Sequence, residues 1–100
     1  EDLREELAAA AHNQDWVAEA PASLVICADY DRTTNQYGER GVRYADMEAG
    51  HVAQNVHLQA AALGLGSAPI GAFHDRAVQE LLALPENEEP LYILPIGKPK

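Results

Sequence analysis

The strongest constraint on the fold comes from a long periodic segment, about residues 40 to 63, in which apolar residues recur at steps of three and four. That spacing places them on one stripe of an α-helix. At about 1.5 Å per residue the helix would be about 36 Å long, comparable to the width of a compact domain of this size. We predict that it is the central scaffold of the fold. The stripe consists of Val42, Ala45, Ala49, Val52, Val56, Ala60 and Leu63.

A second, largely non-polar stripe runs along the same predicted helix. A surface helix normally shows only one such stripe, so two of them indicate that the helix is covered from more than one side. Small residues such as Gly50 and Ala53 would also let another backbone approach closely. We expect an interface here with another subunit or with a second half of the protein. The second stripe consists of Met47, Gly50, Gln54, Leu58 and Ala61.

The segments around the long helix predict shorter elements. Residues 1–16 have a helical apolar stripe through Leu3 and Leu7 and predict a short helix. The run SLVICADY predicts a strand buried on both faces, and the polar run DRTTNQYGERG predicts a loop. Beyond residue 73, HDRAVQELLAL predicts a helix and PENEEP a surface turn. LYILPIG predicts a second strand, in which Pro95 indicates interrupted hydrogen bonding or an edge position.

Size and charge narrow the classes of partner. A chain of 100 residues is at most one small domain, and its start at Glu1, without methionine, suggests a trimmed or incomplete chain. The net charge of −9 argues against nucleic acid and anionic membranes, and no apolar run approaches the roughly 18 residues of a membrane span. Because no stretch has a signal-peptide pattern either, we expect a soluble, cytoplasmic protein. The single cysteine, Cys27, cannot form an internal disulfide, so nothing implies an oxidising compartment. A phosphate would find few cations: Arg4, Arg32, Arg40, Arg43, Arg76, Lys98 and Lys100.

The stretch LGLGSAPIGAF, residues 63–73, follows the long helix and combines glycines with a proline. We interpret Gly64 and Gly66 as the stop of the helix. The glycine spacing fits neither the dinucleotide fingerprint nor the phosphate loop, which needs Lys-Ser or Lys-Thr where Ala72-Phe73 stands. Pro69 fixes the backbone and Gly71 removes a side chain, so this segment is either a ligand-contacting loop or a tight turn that merely packs.

Little in the sequence supports a metal site, a serine nucleophile or an acid–base pair of carboxylates. His51 and His57 lie about 120° apart on the predicted helix and cannot share a metal from one face. Neither Ser23 nor Ser67 stands in a nucleophile-elbow pattern. The carboxylates resemble a solvated surface, with no acid and base pair among them. We therefore predict no metal site, and none of these side chains is a candidate for catalysis.

Two stretches occur in order along the chain: YGERGVRYADMEAGHVAQNVHLQAAALGLGSAPIGAF and LLALPENEEPLYILPIGKP. They resemble the nitroreductase family of flavoproteins, and in particular its SagB-type dehydrogenase branch. The preceding QDWVAEAPASLVICADYDR is similar to the same branch. The resemblance covers roughly residues 3 to 99 and matches the C-terminal half of the family's domain. It implies an α+β fold in which a long central helix packs on a small sheet, with the N-terminal half of the domain absent from residues 1–100.

The resemblance also implies a cofactor and its site. The family consists of FMN-binding homodimers that pass electrons from NAD(P)H to a small-molecule substrate. Pro69, Ile70, Gly71 and Ala72 match its P-I-G-G loop, whose backbone lies against the isoalloxazine ring; Ala72 replaces the commoner glycine. Lys98 lies near the position where some members hold the phosphate. The family's main phosphate-binding motif belongs to the absent half.

Two hypotheses follow from these observations. In one, the chain is part of an FMN-dependent oxidoreductase that pairs with a second copy or a complementing N-terminal half. In the other, it is a flavin-free interaction or scaffold protein derived from the same fold. The retained PIGAF loop favours the first, and the missing phosphate-binding half favours the second.

Overall fold

The computed structural model describes residues 2–99, which form five helices and three strands. The strands make one antiparallel sheet in the order β1-β3-β2. The predicted α+β class, with a long helix on a small sheet, is therefore confirmed. In chain order the elements are α1 (Arg4–Ala10), α2 (Asp15–Glu19), β1 (Ala22–Ala28), α3 (Asp31–Tyr37), α4 (Arg40–Ala62), β2 (Gly66–Ser67), α5 (Asp75–Leu81) and β3 (Glu89–Gly97).

Strand β3 is the central strand, so the alternative that placed Pro95 at an edge is wrong. Its pairing is nevertheless interrupted on one side. Gly66 pairs with Gly97 and Ile70 with Ile93, in the same register, but the pairing between these two points is broken. Ile93 donates its N–H toward Ile70, and alternation along the strand directs position 95 to the same side. Pro95 has no N–H to donate there, which explains the break.

The sheet separates two layers of helices. On one face, α1, α2 and α5 cover β3, and the core there includes Val17, Val78 and Ile93, each 0% exposed. Helix α4 lies on the other face, toward which Leu94 points because neighbouring strand residues alternate. The prediction that β1 is buried on both faces is wrong, since Leu24, opposite Leu94, is 48% exposed.

Helix α4 confirms the predicted long helix almost to its ends. Of the first predicted stripe, Ala49 and Ala60 are buried, but Val42, Val52 and Leu63 are 40%, 42% and 64% exposed. Met47 and Leu58 of the second stripe are 52% and 60% exposed. The predicted interface along that second stripe remains a prediction.

The end of α4 confirms only part of the interpretation of the glycines. Gly64 has φ 75°, and its N–H donates to the Ala61 carbonyl while Leu65 N–H donates to Ala60. These are the two hydrogen bonds of a Schellman cap. Gly66 plays no part in it, because it belongs to β2.

Two local predictions are wrong. The first helix is divided into α1 and α2, because His12 and Asn13 adopt left-handed conformations with φ 57° and 55°; Glu1 lies outside the described residues. The predicted loop at DRTTNQY is helix α3. It packs so closely on α4 that a Cβ on Gly41 would lie 2.8 Å from the carbonyl carbon of Thr33. Tertiary contact, rather than an apolar stripe, stabilises this helix.

Candidate functional site

The loop from Pro69 to Phe73 joins the sheet to α5, and its first half is fixed by the sheet. Ile70 donates its N–H to the Ile93 carbonyl at 2.9 Å and accepts from Ile93 N–H at 3.0 Å. Its side chain is 4% exposed and belongs to the core. Of the predicted site residues, Ile70 therefore serves as the anchor of the loop, while Pro69 beside it is exposed.

The second half of the loop is tied to the corner between α1 and α2. His74 donates its N–H to the Ala10 carbonyl at 2.8 Å. The side-chain amide of Gln14 donates to the Ala72 carbonyl at 3.3 Å and to the Ala11 carbonyl at 2.9 Å. Sequence reasoning missed Gln14, because no local pattern distinguishes a glutamine whose partner lies 58 residues away. The loop is thus held at both ends.

Between these anchors, the backbone N–H groups of Gly71, Ala72 and Phe73 have no hydrogen-bond partner within residues 2–99. Gly71 and Ala72 are exposed and Phe73 is half-buried. Three successive donors are therefore available to a ligand, in a segment whose ends cannot move freely.

Packing does not explain the glycine in this loop. A Cβ on Gly71 would meet only Cε1 of Tyr92, at 3.9 Å, which is ordinary contact. The φ of Gly71 also lies outside the left-handed region, in contrast to that of Gly64. The described residues thus leave room at Gly71 for a side chain that the sequence lacks. Such room is what a close approach by a ligand would use.

Lys98 lies in a separate place from the loop. It is exposed and lines a groove of about 380 Å³ together with Trp16, Pro21 and residues 66–68. The groove reaches the residue before Pro69, but Pro69 to Ala72 do not line it. Four of the five predicted site residues are consecutive in the chain, and Lys98 lies beside the segment that leads into them.

Several other basic residues have local partners. Arg4 contacts Asp2 at 2.8 Å, the Nε atom of Arg32 lies 3.5 Å from Asp29, and Arg40 donates to the hydroxyl of Tyr44. Lys100 lies outside the described residues. Among the residues that line the groove, Lys98 is the single cation. The donors at the loop suit the polar edge of a flat ring, whereas the groove offers a phosphate Lys98 as its one cation.

His57 is a half-buried residue of α4. His57 Nδ1 lies 2.5 Å from the Ser67 hydroxyl, and its Nε2 is buried without a partner among the described residues. With no group to orient the ring from Nε2, the pair lacks the arrangement of a nucleophile and its base. Within residues 2–99 no three His, Cys, Asp or Glu side chains are grouped to hold a metal.

Two other titratable groups lie away from the loop. Burial raises the pKa of Tyr30 above its ordinary value, and the hydrogen bond from its hydroxyl to Asp46 raises it further. Burial likewise raises the pKa of the Cys27 thiol. Both shifts favour the neutral form. Neither group is therefore prepared to act as a base or a nucleophile.

None of the helices within residues 2–99 combines the length and apolarity needed to cross a membrane. The described part of the chain therefore offers no helical membrane span.

The chain is similar to proteins described as nitroreductases and flavin oxidoreductases. A candidate nitroreductase of Methanocaldococcus jannaschii is 50% identical over 98 residues, which are 98% of this chain and 48% of that protein. A solved structure of a candidate nitroreductase from Anabaena variabilis has a TM-score of 0.92 at 36% identity, over 100% of this chain and 20% of that one. The NADPH:FMN oxidoreductase of Vibrio harveyi, solved with NAD+, has a TM-score of 0.82 at 35% identity, over 97% of this chain and 46% of that one.

The chain spans about half the length of the curated relatives it matches. The fold of the described residues is that of the nitroreductase structures. The sequence model of the nitroreductase family matches residues 1–98. That match covers nearly the whole chain, which therefore belongs to the nitroreductase family.

Proposed function

We propose that this chain forms the ring-binding part of an FMN-dependent oxidoreductase, which transfers electrons between flavin and NAD(P)H or a small-molecule substrate. One observation carries the proposal: three successive backbone N–H groups, at Gly71 to Phe73, have no partner within residues 2–99 in a loop that is anchored at both ends. The relative from Vibrio harveyi that is named an NADPH:FMN oxidoreductase supports the choice of ligand.

The loop would hold the ring through its backbone. Pro69 and Ile70 set its course, and Gly71 and Ala72 present N–H groups without a bulky side chain in front of them. When bound, FMN supplies the electron and hydride chemistry, and the protein positions and tunes it. The backbone donors of the loop would stabilise negative charge at the edge of the ring. No side chain of this loop needs to donate or accept a proton, so we assign no catalytic residue.

The phosphate needs residues beyond this loop. Lys98 is our candidate for a supporting cation, because it is exposed on the groove that leads to Pro69. One lysine in a chain of net charge −9 is a weak phosphate site. We therefore propose that an N-terminal half of the domain, or a second copy in a homodimer, completes the site against this C-terminal half.

The assignment to a branch of the nitroreductase family rests on sequence motifs. We propose the SagB-type dehydrogenase branch on the basis of the stretches quoted above, with Ala72 in the fourth position of the loop. A cytoplasmic location belongs to the same proposal and rests on the lone, half-buried Cys27, which forms no internal disulfide.

Titration of the ¹⁵N-labelled chain with FMN, followed by NMR, tests the proposal. Three hydrogen bonds worth about 1 to 1.5 kcal/mol each correspond to a Kd near the millimolar range. We expect the largest shifts at the amides of Gly71, Ala72 and Phe73. Riboflavin, which lacks the phosphate, should shift the same amides, and Lys98→Ala should weaken FMN but not riboflavin.

A titration to several millimolar FMN that leaves these three amides unshifted contradicts the flavin proposal. The same is true if the shifts concentrate elsewhere in the chain. Either result favours the flavin-free scaffold protein.

A further inference from the structure

The side chain of Gln14 spans the gap between the α1–α2 corner and the loop. It is half-buried, and its amide nitrogen has two hydrogens. The nitrogen lies 2.9 Å from the Ala11 carbonyl and 3.3 Å from the Ala72 carbonyl, so both hydrogens can be engaged at once. The contact with Ala11 fixes the rotamer, which directs the second hydrogen at the loop.

The planar peptide bond gives this contact a consequence for the neighbouring residue. In a trans peptide the C=O of one residue and the N–H of the next point in opposite directions. Holding the Ala72 carbonyl therefore fixes the direction of the Phe73 N–H. The sheet does the same at the other end, where the Ile70 carbonyl accepts from Ile93 and so fixes the Gly71 N–H. The two outer donors of the three are thus oriented from opposite sides.

The corner that carries Gln14 is itself well defined. His12 and Asn13 adopt left-handed conformations, which non-glycine residues seldom do. Asn13 N–H donates to the Ala8 carbonyl at 2.7 Å, and Gln14 N–H to that of Ala11 at 3.3 Å. Ala11 is 0% exposed. Gln14 therefore starts from a fixed backbone, which is what a positioning side chain requires.

We propose that Gln14 is a positioning residue for ligand binding: by holding the Ala72 carbonyl, it keeps the Phe73 N–H directed at the ligand. This inference rests on the proposed function, because FMN is the ligand that the loop would receive. Gln14 contacts the loop and not the ligand, so its effect on binding is exerted through the backbone.

A pair of matched substitutions tests the proposal. Gln14→Leu removes the donor at nearly the same size. Gln79→Leu is the control, because Gln79 Nε2 also donates to a backbone carbonyl, that of Glu88 at 3.0 Å, outside the loop. For each variant we would measure the unfolding midpoint in urea, the amide resonances without ligand, and the FMN Kd. Should the leucine variant not fold, Gln14→Glu keeps length and polarity while its carboxylate lacks the donor.

We expect Gln14→Leu to raise the FMN Kd about five- to tenfold, the effect of one lost hydrogen bond. Without ligand, it should shift the Phe73 amide resonance and leave that of Gly71 nearly unchanged. Gln79→Leu should change neither the Kd nor these resonances.

An unchanged Kd in Gln14→Leu overturns the inference, as does an equal weakening of FMN binding by both variants. Failure of the proposed function has a different signature, because the unsubstituted chain would then show no shifts with FMN. In that case the ligand-free resonances decide whether Gln14 positions the loop: a shift at Phe73 in Gln14→Leu alone supports it, and no shift overturns it.

Discussion

Replacing Gly41 with alanine should destabilise the protein by about 2 kcal/mol. The added Cβ would lie 2.8 Å from the carbonyl carbon of Thr33 and from the nitrogen of Thr34, and 2.9 Å from the Thr33 oxygen. These are backbone atoms of α3 and cannot rotate away, so the two helices must separate. Overpacking of this kind costs up to about 3 kcal/mol, which is partly offset by the gain in helix propensity of up to about 1 kcal/mol for alanine over glycine.

Gly50 provides the matched control within the same helix. A Cβ there would meet nothing within 4 Å, so Gly50→Ala should gain about 1 kcal/mol from helix propensity alone. Urea unfolding followed by circular dichroism measures both variants, which should differ by about 3 kcal/mol. If Gly41→Ala is as stable as Gly50→Ala, the close contact between α3 and α4 is wrong, and with it the reason why a polar segment is helical.

Further outcomes concern the core and two titratable groups. Ile93→Ala, at 0% exposure, should cost about 2 to 5 kcal/mol in urea unfolding, whereas Leu24→Ala, at 48% exposure, should cost less than about 1.5 kcal/mol. Asp46→Asn should lower the pKa of Tyr30 toward its ordinary value in an alkaline absorbance titration. Because the folded-state pKa of Tyr30 is raised, its contribution to stability is complete below pH of about 10 and is lost as the pH rises further. Burial of the Cys27 thiol should make its alkylation at pH 8 slow in the folded chain and faster in urea.

The elements with a regular apolar pattern could be predicted from the sequence. Helices α4 and α5 have periodic apolar residues and strand β3 is a short apolar run, and each was found near its expected bounds. Helix α3 has no such stripe. It is stabilised instead by its close backbone contact with α4 at Gly41. For strand β1, the burial predicted from the sequence was too high. Its run of apolar residues predicted burial on both faces, but part of the apolar surface at Leu24 is uncovered in the described chain.

The loop could be located from its sequence, but its anchoring could not. Pro69 and Gly71 interrupt the apolar pattern and so mark a loop. The hydrogen bond from Gln14 to Ala72 depends on a corner with two left-handed residues, and local propensity does not predict His12 in that conformation. The role of Pro95 could be predicted only in part. Its missing N–H predicts an interruption in the pairing, whereas the central position of β3 depends on how the strands pair.

The most direct test of the account asks which atoms of the chain lie against the flavin ring. Nuclear Overhauser effects between bound FMN and the ¹⁵N-labelled chain measure this. We predict cross-peaks from the ring protons to the amides of Gly71, Ala72 and Phe73, unaffected in Gln79→Leu and weakened at Phe73 in Gln14→Leu. Cross-peaks that lead to other parts of the chain, with none to these three amides, would contradict the assignment of the loop as a flavin site.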